Sequence, residues 1–81
     1  MKVWKHTFVV DRLQGNGDIL CRILSVVLPA INITANEYLG LVHIWTKEKK
    51  LSEETIRMAC DIAHCTYRTK AGKEKEKIPK I

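Results

Sequence analysis

The chain has 81 residues, 46% hydrophobic and 28% charged, with a formal net charge of +5. That length makes one small domain with a limited core, of the kind often completed by a partner, and the composition excludes wholesale disorder. The longest apolar run, ILSVVLPAI, is too short to cross a bilayer and the first residues lack the layout of a signal peptide, so the expectation is a cytoplasmic protein with no membrane contact.

The alternation in VWKHTFVV, residues 3–10, predicts a strand whose heavier face carries Trp4, His6, Phe8 and Val10. QGNG then reverses the chain, because glycine accepts positive φ without steric cost. Asp18 is placed to cap the following helix. Residues 19–28 repeat with helical spacing, and Ile19, Leu20, Ile23, Leu24 and Val27 form one stripe. Pro29 ends that helix near Val27.

Residues 30–45 read as a hairpin, with AINIT and YLGLVHIW as strands joined across ANE. Their β-branched and aromatic residues favour strands, and Gly40 weakens a helix. The rival reading is one helix over residues 35–48. KEKK at 47–50 is a solvated loop. Ser52 is a good N-cap, Glu53 and Glu54 occupy the first turn, and Leu51 can staple onto Ile56. Ile56, Ala59, Cys60 and Ala63 then mark the buried face of a helix over residues 53–61. IAHCTYR, 62–68, has the character of a last strand. Residues 1–69 form the domain, and residues 70–81 form a basic, flexible tail.

The predicted order β-α-β-β-α-β implies an α+β, ferredoxin-like sandwich: a four-stranded antiparallel sheet with two helices on one face. HTFVVDRLQGNGDILCRILSVVLPAINI resembles the first half of an ACT domain. It has a strand ending in FVVDR, the glycine loop QGNG, a helix opening DILCRIL, and a second strand opening INI. CDIAHCTYR is similar to the end of the ACT domain in the short regulatory subunits of acetohydroxyacid (acetolactate) synthase. The resemblance covers residues 5–68.

The resemblance implies a non-catalytic regulatory subunit that binds a branched-chain amino-acid effector at a homodimer interface and controls a catalytic enzyme subunit. Carried over by position, the ligand-binding residues are Gln14, Gly15, Asn16, Gly17, Asp18 and Asn32. The chemistry suits them. Glycines let backbone N–H groups approach a carboxylate, and an asparagine amide both donates and accepts.

No cofactor and no metal site is expected. Cys21, Cys60 and Cys65 lie on or near apolar stripes at no metal-like spacing and read as reduced core thiols. His64 and Cys65 are adjacent, so on a strand they face opposite ways and make neither a ligand pair nor a catalytic pair. Trp4 and Trp45 read as core or dimer-interface residues.

The alternative function is a small basic nucleic-acid-binding helical module of viral or plasmid type. The linear charge distribution makes nucleic acid an unexpected partner. Arg68 to Ile81 holds six basic residues against two acidic ones, which leaves +1 for the first 67.

Overall fold

The computed structural model describes residues 2–71. Six elements follow in order: β1 (Trp4–Asp11), α1 (Gly17–Val27), β2 (Ala30–Asn36), β3 (Leu41–Thr46), α2 (Glu53–Ile62) and β4 (Thr66–Lys70). The strands make one antiparallel sheet in the order β2-β3-β1-β4, with β2 and β4 as open edges. Class, element order and strand number follow the expectation.

Period-two alternation sorts the strand side chains onto two faces. His6, Phe8 and Val10 of β1 and Val42, Ile44 and Thr46 of β3 are buried on one face. Both helices pack there. Leu20 and Leu24 of α1 and Ile56, Ala59 and Cys60 of α2 join those strand residues in a single core. The opposite sheet face is left to solvent. Trp4 is only half-buried at the end of its row, with the Lys49 ammonium 5.7 Å from its ring centroid.

Two buried polar side chains are satisfied. Thr46 Oγ1 donates to the Pro29 carbonyl at 2.7 Å and accepts from the Glu48 N–H at 3.1 Å. This ties the end of β3 to the α1–β2 connection. His6 Nε2 lies 3.1 Å from the Glu48 carbonyl. A carbonyl only accepts, so that ring nitrogen carries the proton.

Several local boundaries are corrected. The hairpin turn is Glu37–Gly40, not residues 35–37. Asn36 Oδ1 accepts from the N–H groups of Tyr38 and Leu39, which closes the turn locally. Gly40 has φ +71, and a Cβ there would stand 3.0 Å from the Val10 carbonyl oxygen. The single helix over residues 35–48 is therefore overturned, and with it the all-helical nucleic-acid module. Cross-strand pairing of Ala35 with Val42 and Asn36 with Leu41 wins over helical spacing.

Helix α1 starts at Gly17, two residues earlier than its apolar pattern. Its stripe also splits. Leu20 and Leu24 are buried, Ile23 is half-buried, and Ile19 and Val27 are 47% and 45% exposed. The last strand begins at Thr66 rather than residue 62, because α2 runs through Ile62 and closes over residues 63–65. There the Cys65 N–H donates to the Cys60 carbonyl, and His64 takes a left-handed φ of +66. His64 and Cys65 are thus not strand neighbours. At the far end β4 includes Lys70, and the Ala71 N–H donates to the Thr7 carbonyl, so the ordered chain passes residue 69. The rest of the expected tail lies outside the described residues.

Candidate functional site

The loop from Arg12 to Asn16 joins β1 to α1 at the end of the sheet where the β2–β3 turn also lies. Leu13 is buried and anchors the loop to the core. The Asn16 N–H donates to the Leu13 carbonyl at 2.8 Å, and Asn16 Nδ2 donates to the Arg12 carbonyl at 3.1 Å. Asn16, not Asp18, is the N-cap residue, and its side chain caps nothing. Asp18 is exposed in the first turn.

The loop's amides are nonetheless held by a carboxylate. The Gly15 N–H donates to Glu37 Oε1 at 3.0 Å, and the Gly17 N–H donates to Glu37 Oε2 at 2.9 Å. Glu37 opens the β2–β3 turn, 20 residues beyond Gly17. Its carboxylate satisfies one of the donors that a helix start leaves unpaired and places negative charge at the positive end of α1. Gly17 is required by this approach. A Cβ there would lie 2.5 Å from Glu37 Oε2 and 2.9 Å from its Cγ.

Gly15, Asn16, Gly17 and Asp18 therefore do come together with a bound carboxylate, one the chain supplies itself. Gln14 is exposed beside them. Asn32 is not brought in. It sits near the start of β2, opposite Trp45, while the loop lies beyond the far end of that strand. Four residues of strand separate Asn32 from Asn36, about 13 Å. Glu37 escaped the sequence reading because no local signal links residue 37 to a helix beginning at residue 17.

The thiols nearby are not activated. Burial, then the charges of Asp18 and Glu37, raises the Cys21 pKa. Burial raises that of Cys65, and Arg12 opposes this only in part. Cys60 is pushed up to about 11, first by burial and then by Cys65 and Asp61. All three are free thiols that stay protonated near neutral pH. Arg12, with φ +59, donates through a guanidinium nitrogen to Thr66 Oγ1 at 3.2 Å, and Arg68 pairs with Asp11 at 3.2 Å across the β1–β4 edge. Among the described residues no group of three or more His, Cys, Asp or Glu side chains is gathered to hold a metal ion, and no helix is long and apolar enough to cross a membrane.

No protein-family model, no curated protein and no solved structure matches this chain.

Proposed function

We propose that the chain is a non-catalytic regulatory subunit, an amino-acid-sensing domain of ferredoxin-like, ACT-like fold that controls a biosynthetic enzyme such as acetohydroxyacid synthase. The observation carrying this reading is the pair of loop amides, Gly15 and Gly17, that grip both oxygens of one carboxylate. A donor pair that fits the Glu37 carboxylate also fits the α-carboxylate of an amino acid, and the exposed Asp18 can receive its ammonium. The effector enters by exchange. It takes the two amides, Glu37 leaves, and the β2–β3 turn is released.

The open β2 edge offers the homodimer contact. Antiparallel pairing of two β2 strands centred on Thr34 sets Asn32 of one copy opposite Asn36 of the second copy. That is the end of β2 from which the Glu37 turn departs, so Asn32 joins the loop site only in the dimer. Regulation then follows from differential affinity, because an effector that frees the turn favours one pairing of the edges over another. The apolar outer side of α1 supports contact with the catalytic subunit. Val26 is 82% exposed there, beside exposed Ile19 and Val27.

Thermal unfolding of the full chain with valine, leucine or isoleucine tests the reading. A rise in Tm with one of them, larger in Glu37→Ala because the internal competitor is gone, is the expected result. No shift with any of the three in either protein removes the effector. A sedimentation mass of one chain at high concentration removes the dimer.

A further inference from the structure

The exposed face of the sheet, opposite the helices and distinct from the loop site, has its own composition. The outward rows are Lys5, Thr7 and Val9 on β1, Leu41, His43 and Trp45 on β3, and Asn32, Thr34 and Asn36 on β2. The register lines them up across the strands. Trp45 stands between Lys5 and Asn32, and His43 stands between Thr7 and Thr34. The Lys5 ammonium lies 5.6 Å from the Trp45 ring centroid, and the His43 and Trp45 rings are 6.0 Å apart. His43 Nδ1 shares a hydrogen bond of 3.0 Å with Thr7 Oγ1, which fixes the ring. Burial and then the Lys5 charge lower the His43 pKa, so the ring stays neutral at neutral pH.

Charge is segregated between the two layers. Among the described residues the helices carry two basic side chains, Arg22 and Arg57, against Asp18, Glu53, Glu54 and Asp61. The strands and loops carry eight basic side chains against Asp11, Glu37 and Glu48. Glu37 is held by the loop amides and Asp11 by Arg68. Lys2, Lys47, Lys49 and Lys50 stand at the end of the sheet nearest Trp45. The folded part is therefore basic on the sheet side, a property that the linear count along the chain conceals.

We propose that this sheet face binds single-stranded RNA, with Trp45 and His43 as stacking platforms and Lys5 and the lysines at the strand ends on the phosphates. A four-stranded sheet whose central strands present rings is a general solution for unpaired bases, and a positive rim supplies the affinity that every nucleic acid shares. A base stacking on Trp45 displaces the Lys5 ammonium, which then reaches a phosphate. The amide of Asn32 and the hydroxyl of Thr34 flank the two rings and can bond a ribose 2′-hydroxyl, which favours RNA over DNA.

Fluorescence anisotropy of the full chain with a labelled pool of random single-stranded RNAs of about eight nucleotides tests this. Trp45→Ala is expected to weaken binding about tenfold or more, and Trp45→Phe to keep it within about threefold. Lys5→Gln is expected to flatten the dependence of log affinity on log salt by about 0.7. If Trp45→Ala fails to fold by circular dichroism, His43→Ala and Lys5→Glu take its place, each with a several-fold loss expected. Replacing Lys73, Lys75, Lys77 and Lys80 together by Gln separates tail from sheet, and the Trp45 dependence is expected to survive it. The proposal is overturned by absence of RNA binding at low salt, by wild-type binding in the folded sheet-face variants, or by equal affinity for DNA of the same pool.

Discussion

The two helices are nearly equal in length and flank one core, yet they are specified in opposite ways. Helix α2 is locally complete. Ser52 Oγ accepts the Thr55 N–H at 3.2 Å, Glu53 and Glu54 favour the positive helix end, and Ile56, Ala59 and Cys60 are buried beneath a largely charged exterior. Its one flank faces β4, where Arg57 lies 5.1 Å from the Tyr67 ring centroid. Helix α1 begins without a side-chain cap of its own, takes its carboxylate from a distant turn, and is apolar on its outside as well as its inside. A helix written by neighbours in sequence is legible in a single chain. A helix completed by contacts from elsewhere is not.

The largest expected effect lies where the two helices agree. Leu24→Ala should cost about 3 kcal/mol in urea unfolding, as should Ile56→Ala, because both are 1% exposed. Val26→Ala, on the same helix as Leu24, should cost less than about 0.5 kcal/mol. A cost for Val26→Ala that grows with protein concentration would show that the outer side of α1 is buried in an assembly.

The thiols sharpen the contrast next. Folding holds Cys60 of α2 protonated up to about pH 11 against an ordinary value of 9.0. The raised pKa gives stability that is fully present below pH 9 and lost as pH rises toward 11, on the order of 2 kcal/mol. Cys60→Ala should flatten that part of the pH–stability curve. A maleimide should label half-buried Cys21 of α1 well before Cys60.

The caps come third. Glu37→Ala should destabilise by about 1–2 kcal/mol through the two loop amides it leaves unpaired, and Ser52→Ala by about 1 kcal/mol. Gly17→Ala should be strongly destabilising in the native chain and nearly neutral in Glu37→Ala, because the added methyl meets only the Glu37 side chain. Equal costs of Gly17→Ala in both backgrounds would show that the carboxylate does not lie over Gly17 in solution. The smallest effect is a gain: His64→Gly should stabilise by up to about 1 kcal/mol in thermal unfolding by relieving the left-handed residue after α2.

The legible and illegible parts of the candidate site divide along the same line. The strand over residues 3–10, the end of α1 before Pro29 and the Ser52 cap are each announced within a few residues, and each stands where expected to within a residue or so. Asp18 was the nearest acid to the α1 start and therefore the natural cap, but the acid that holds the helix start is Glu37. A side chain at residue 37 reaches residue 17 only after β2 has crossed the sheet and turned back. The apolar stripe of α1 misled for a related reason. Ile19, Leu20, Ile23, Leu24 and Val27 span more of the helix circumference than one sheet can cover, and only packing selects Leu20 and Leu24.

By itself, then, the amino-acid sequence determined the class, the order of six elements and most of the core, because period-two and period-3.6 patterns and local caps act over a few residues. Only the tertiary structure decided which carboxylate occupies the glycine loop, which side of α1 is buried, and that Lys5, His43 and Trp45 share one basic sheet face. Those three facts depend on strand register and on contacts between segments tens of residues apart, which no local pattern encodes.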